Sequence, residues 1–271
     1  MATQTYQAIQ VGLLGPVFSI ELNKPPLNIL DMAMIEEVLA ALHEADADPN
    51  ARVIVFRGAG PKAGPKAAPK AAPKAFCAGV SIQDHTPDRI GEMIPRFHAI
   101  FRHLARTDKV TLAVVHGHCL GGGFELASMC DLVVAAEGAQ FGQPEIKLGQ
   151  LAPVAVVLLP YLIGYRQAAE LLLTGSNIDA RQAQALGIVN RVAPAEQLSQ
   201  CVDELLKELL AQSGAALRLT KTILRRVAGL DFERALTESE EFFLHTLAKT
   251  DDAKEGIFAF LEKRAPQWTH R

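Results

Sequence analysis

An α/β fold followed by a helical C-terminal section is what this sequence predicts, and two patterns predict it. Up to about residue 195, short apolar runs of strand length alternate with stretches of helical apolar spacing, the signature of strand–helix crossovers and a largely parallel sheet. From about Glu196 the strand-like runs stop and only helical stripes remain. The expected division is therefore an α/β body over residues 1–195 and a helical region over residues 196–271.

The first strand is Val17 to Leu22, which alternates apolar and polar before Pro25-Pro26 stops it. Asp31 is placed to cap a helix with the stripe Ile35, Val38, Leu39 and Leu42. Val53 to Phe56 is continuously apolar, as a strand buried on both faces should be. Ile90, Met93, Ile94, Phe97, Phe101 and Leu104 follow helical spacing, and Val110 to Val115 and Leu132 to Ala135 read as further buried strands. In the last section the stripes are Leu198 to Leu209, Leu217 to Val227, Ala235 to Leu247, and Ile257, Phe260 and Leu261. Such stripes pack against the body or against another subunit, and the pattern alone leaves both open.

Composition narrows the class. The 271 residues are 49% hydrophobic and 21% charged, with formal charge −3, which fits an ordinary globular chain and gives no basic excess for nucleic acid or an anionic membrane. Cys77, Cys119, Cys130 and Cys201 form neither a disulfide framework nor a CxxC metal motif, and they fit buried thiols in a reducing compartment. The N-terminus lacks a signal-peptide profile. Leu151 to Tyr165 is apolar but is interrupted by Pro153 and Pro160 and falls short of the roughly 20 residues that span a bilayer. The expectation is a cytoplasmic protein without metal. The period-four Pro-Lys-Ala repeat between residues 61 and 74 cannot form a regular helix and reads as an exposed loop. Its lysines are either surface decoration or contacts for a phosphorylated ligand.

Three segments could carry chemistry. Leu120-Gly121-Gly122-Gly123-Phe124-Glu125 follows a strand and opens a helix. Its glycines allow either a tight turn or the approach of a ligand to bare helix-N-terminal N–H groups. It is not a phosphate loop, since Gly-Lys-Ser/Thr is missing. Phe141-Gly142-Gln143-Pro144-Glu145 puts Glu145 in the first turn after a helix-starting proline. Glu125 and Glu145 are either helix-dipole partners or, in one cleft, an acid–base pair. Phe76-Cys77-Ala78-Gly79-Val80 is a second small-residue turn that could supply another N–H donor facing Gly122. His116 and His118, two apart, would share a face of one strand and have no metal-site spacing.

These motifs, in this order, resemble the crotonase (enoyl-CoA hydratase/isomerase) superfamily. The resemblance continues through Leu173-Thr174-Gly175 and Ala185-Leu186-Gly187-Ile188-Val189 and covers nearly the whole chain. It implies a spiral of ββα turns with a C-terminal trimerisation region, and a homo-oligomer that is a trimer or a dimer of trimers. The implied substrate is an acyl-CoA thioester, with no cofactor beyond that coenzyme A. By position, the N–H groups of Val80 and Gly122 would form an oxyanion hole, Glu125 and Glu145 would handle water and proton, and Ala78, Gly121 and Pro153 would contact substrate. Ser81, Asp84-His85-Thr86-Pro87-Asp88, the segment Lys147 to Ala155 and the tail through Trp268 are similar to cyclohexa-1,5-diene-1-carbonyl-CoA hydratases. The valines after Pro153 are expected to wall a short pocket for a ring. A general short-chain enoyl-CoA hydratase and a non-catalytic RNA-binding homologue are the alternatives.

Overall fold

The computed structural model describes residues 5–59 and 75–271. The Pro-Lys-Ala repeat lies outside them. The chain separates into two units, one comprising the chain to Arg106 with Thr111–Val202, the other Thr107–Val110 with Asp203–Arg271.

In chain order the first unit begins with strands β1 (Ile9–Leu14) and β2 (Val17–Leu22), helix α1 (Met32–Ala47), and strands β3 (Val53–Gly58) and β4 (Ala75–Cys77). Helix α2 (Ile90–Leu104) leads to β5 (Val110–Val115), β6 (His118–Leu120) and α3 (Gly122–Met129), and then to β7 (Leu132–Ala136) and β8 (Gln140–Gly142). Helices α4 (Pro153–Ile163) and α5 (Tyr165–Thr174), strand β9 (Asn177–Asp179), helix α6 (Ala180–Ala185) and β10 (Arg191–Ala193) close it. The strands form two sheets, ordered β1-β2-β3-β5-β7-β10 and β4-β6-β8-β9. Three times in succession the chain leaves one strand in the large sheet, one in the small sheet, and then a helix.

Parallel pairing prevails, as the alternation predicted: β2 with β3, β5 with β7, β7 with β10, β4 with β6 and β6 with β8. The exceptions are the β1–β2 hairpin and the β8–β9 pair. Strand β5 is buried at every position because both its faces are covered. Asp31 caps α1 as expected, its side chain accepting from the Met34 N–H at 3.1 Å. Phe56, Phe76, Phe124 and Phe141 are fully buried, and the last two meet edge to face with ring centroids 5.6 Å apart. His116 and His118 do not share a strand: β5 ends at Val115, and His116 and Gly117, the latter at φ +57°, turn the chain into β6. Helix α4 runs through Pro160 rather than stopping there. Among the described residues no helix is long and apolar enough to cross a membrane.

Helix α7 (Leu198–Leu210) runs from the first unit into the second, which carries α8 (Gly214–Arg226), α9 (Phe232–His245) and α10 (Asp251–Leu261). Ser213, Asp231 and Thr250 cap the last three helices with their side chains. The buried carboxylate of Asp252 accepts from Ser213 and from the Thr269 N–H, Thr269 hydroxyl and His270 N–H, which folds the chain end back onto α8 and α10. The apolar stripes of α9 and α10 are largely uncovered: α9 has no buried residue, and Phe243, Ile257 and Phe260 are exposed.

Candidate active site

The turn after β4 is held by backbone hydrogen bonds to residues 27–30. Ala78 N–H donates to the Leu27 carbonyl, Leu30 N–H to that of Gly79, and Ser81 N–H to that of Leu30, at 2.8–3.0 Å. This is a parallel bridge between Leu30 and Val80. A parallel bridge uses the N–H groups of Leu30 and Ser81, so the N–H of Val80 is turned to the opposite side.

The glycine triplet sits at the start of α3. Gly121 caps the helix at φ +52°, and a β-carbon there would lie 2.8 Å from Glu145 Oε1. At Gly122 a β-carbon would strike Val80 Cγ2 and Phe97 Cζ, and at Gly123 it would lie 2.3 Å from the Cys77 carbonyl oxygen. The helix start is thus pressed against the β4 turn and against Glu145. The Gly122 N–H, in the first turn, has no carbonyl within the helix to donate to.

Glu125 follows in the same first turn and is 3% exposed. Its Oε1 accepts from the N–H groups of Val154 at 3.0 Å and Ala155 at 2.9 Å. Those are first-turn amides of α4, whose own cap residue, Ala152, has no side-chain acceptor, and Pro153 at the first position has no N–H to satisfy. Glu125 therefore caps α4 from a different helix. Glu145 lies in a single 3₁₀ turn, Pro144–Leu148. The side-chain amide of the buried Gln143, oriented to donate as two facing carboxylate oxygens require, reaches both Glu145 oxygens at 3.0 and 3.1 Å.

Both carboxyls hold their protons more tightly than usual. Burial pushes Glu125 up to about 7; the Ala155 N–H opposes this, the Glu145 charge adds to it and the Val154 N–H opposes it. Burial also raises Glu145, opposed by a backbone N–H and, where its ring is protonated, by His85.

All seven residues expected at the site line one cavity of about 530 Å³: Ala78, Val80, Gly121, Gly122, Glu125, Glu145 and Pro153. Met93, Ile94, Phe97 and Leu151 supply much of its apolar wall. One expectation fails. None of the valines after Pro153 lines the cavity: Val154 packs against the hydrophobic core, and Val156 and Val157, turned outward on α4, are 46% and 77% exposed. Pro153 and Ala152 line it instead. Two polar neighbours went unassigned in the sequence reading. His85 stood only inside a longer stretch of resemblance, although its four-residue spacing from Ser81 is compatible with a contact across one helical turn. Gln143 sat inside the Glu145 motif, where nothing distinguishes a buried amide from an exposed one.

The burial of Glu125 has a consequence for stability. Its folded-state pKa lies above that of an unfolded carboxyl, so its stabilising contribution is complete below about pH 4.5 and is lost as pH rises to about 7. Glu125→Gln keeps an oxygen for the α4 amides but cannot ionise. Urea unfolding should find the variant close to wild type at pH 5 and more stable than wild type at pH 8, by about 3 kcal/mol at most. The same difference at both pH values would show that Glu125 is not desolvated.

Comparison with known proteins agrees with this arrangement. Residues 15–271 match the enoyl-CoA hydratase/isomerase family. A probable enoyl-CoA hydratase of Mycobacterium tuberculosis is 37% identical over 273 residues, spanning 98% of this chain and 100% of that protein. The cyclohexa-1,5-dienecarbonyl-CoA hydratase of Thauera aromatica is 33% identical over 259 residues, spanning 95% and 94%. The crystal structure of an enoyl-CoA hydratase subunit from Geobacillus kaustophilus superposes with a TM-score of 0.87 at 35% identity, covering 98% of this chain and 99% of that one. Likeness of this extent means that the chain belongs to the enoyl-CoA hydratase/isomerase family and is an enzyme of the enoyl-CoA hydratase class.

Proposed function

We propose that this enzyme adds water to a conjugated acyl-CoA thioester, with Glu125 and Glu145 as its acid–base pair and the N–H groups of Val80 and Gly122 as its oxyanion hole. The observation that carries this reading is the meeting, in one cavity, of two desolvated carboxyls from separate motifs with two backbone donors. Glu125, pushed up to about 7, is poised between acid and carboxylate near neutrality, so the pair can present an acid and a base together. The carboxylate takes a proton from water as the water oxygen bonds to the carbon β to the thioester. The carboxylic acid gives its proton to a substrate carbon. Charge that moves onto the thioester oxygen meets the two N–H groups, each worth about a hundredfold to a thousandfold in rate. The addition is redox-neutral and takes no cofactor beyond the coenzyme A of the substrate. Ala78, Gly121 and Pro153 shape the space around the acyl group.

For that acyl group we favour cyclohexa-1,5-diene-1-carbonyl. Water attacks the β ring carbon, a dienolate forms, and the proton enters at the far end of the conjugated system, leaving 6-hydroxycyclohex-1-ene-1-carbonyl-CoA. The Thauera aromatica relative supports this, as do Ser81 and the segment after Glu145. So does a wall in which Pro153, with its fixed φ, starts α4. A short linear enoyl group is the second reading, compatible with the Mycobacterium tuberculosis relative, which is named only as a probable enoyl-CoA hydratase. Assayed side by side, the cyclic dienoyl-CoA should exceed crotonyl-CoA in kcat/KM by at least about tenfold, roughly 1.4 kcal/mol. Equal values or a preference for crotonyl-CoA would remove the cyclic assignment and leave the hydratase standing.

We also read the chain as a cytoplasmic homo-oligomer, a trimer or a dimer of trimers, without nucleic-acid or membrane partners. Free cysteines agree with a reducing compartment. Phe232, Phe243, Phe258 and Phe260, all more than half exposed, are apolar surface of the kind that subunit contacts cover. Light scattering at micromolar concentration should return three or six times the 29.2 kDa chain mass, and a mass near 29.2 kDa would contradict this.

A further inference from the structure

His85 is a polar side chain on the cavity wall that the acid–base reading leaves without a task. It ends a 3₁₀ turn, Ile82–His85, that begins directly after Val80 and Ser81. Its Nδ1 lies 2.8 Å from the Ser81 carbonyl oxygen. A carbonyl oxygen only accepts, so Nδ1 carries the hydrogen, and in the neutral ring Nε2 then presents a lone pair. The Ser81 carbonyl also accepts from the Asp84 N–H at 3.0 Å, and the Ser81 N–H donates to the Leu30 carbonyl at 2.8 Å. Among the described residues, no hydrogen bond from Nε2 to a protein group accompanies this one. The ring lines the same cavity as Glu125 and Glu145.

We propose that His85 is a positioning residue for the attacking water, its Nε2 accepting the hydrogen that the water does not transfer. One water hydrogen then points to a glutamate carboxylate and the other to Nε2. That leaves an oxygen lone pair aimed at the β carbon. No bond to His85 forms or breaks; the residue acts by orientation, which reacting groups need to within fractions of an ångström. The proposal rests on the reading of Glu125 and Glu145 as the acid–base pair.

Two substitutions separate this role from a structural one. His85→Asn can still donate to the Ser81 carbonyl but has nothing at the place of Nε2. His85→Gln can place an amide oxygen near that point. Both are assayed on whichever of crotonyl-CoA and cyclohexa-1,5-diene-1-carbonyl-CoA the wild type hydrates faster, beside Glu125→Gln and Glu145→Gln. The expected result is a kcat for His85→Asn lowered about tenfold or more with KM within about twofold of wild type, and substantial recovery in His85→Gln. Wild-type kcat in His85→Asn would overturn the proposal. So would equal losses in both variants with a lowered Tm, which would mark the ring as a structural tie. If the two glutamate variants are inactive while His85→Asn is not, His85 alone loses its role; if the glutamate variants stay active, the acid–base reading falls and takes this inference with it.

Discussion

The bond between the Glu125 carboxyl and the first-turn amides of α4 is the constraint on which the site depends. A helix start must find acceptors for its N–H groups, and α4 begins Ala152-Pro153, a sequence with no side chain to offer. Glu125 supplies that acceptor from α3, at 2.9 and 3.0 Å. One oxygen is thereby occupied on the structural side, and the carboxyl is fixed in an apolar setting without being neutralised by a cation. That is why its proton affinity rises toward neutrality while two N–H groups still hold it in place.

The glycines do the complementary work of closeness. Glu145 stands where a β-carbon on Gly121 would be, and the Cys77 carbonyl stands where one on Gly123 would be. The two small-residue turns can therefore approach until Val80 and Gly122 flank the same space. Substituting bulk at any of the three would move a carboxyl or a donor relative to the others. Gln143 and His85 complete the arrangement around Glu145, one through its amide and the other from the wall of the same cavity.

Much of this was legible in the chain. The helical stripes after Asp31 and in the four C-terminal helices are periodic, the runs Val53 to Phe56 and Val110 to Val115 are short and apolar, and each forms as expected. The small sheet was not legible, because β4, β6, β8 and β9 have three residues each, too few for a period to register. The hairpin strand β1 was missed because Gly12 and the adjacent pair Leu13-Leu14 blur the alternation of Ile9, Gln10 and Val11. At the site, motif order pointed to Glu125, Glu145 and the two turns. It could not show that Val156 and Val157 point away from the cavity, since that depends on which residue starts α4 and hence on the phase of its first turn.

The central claim is that Glu125 and Glu145 work as one unit on one water. The direct test is the kcat of Glu125→Gln, Glu145→Gln and the double variant under one set of conditions. Each single variant should fold and should lose about a hundredfold or more. The double variant should lose far less than the product of the two single losses, because removing either partner already disables the pair. Multiplicative losses, or near-normal turnover in either single variant, would contradict the account.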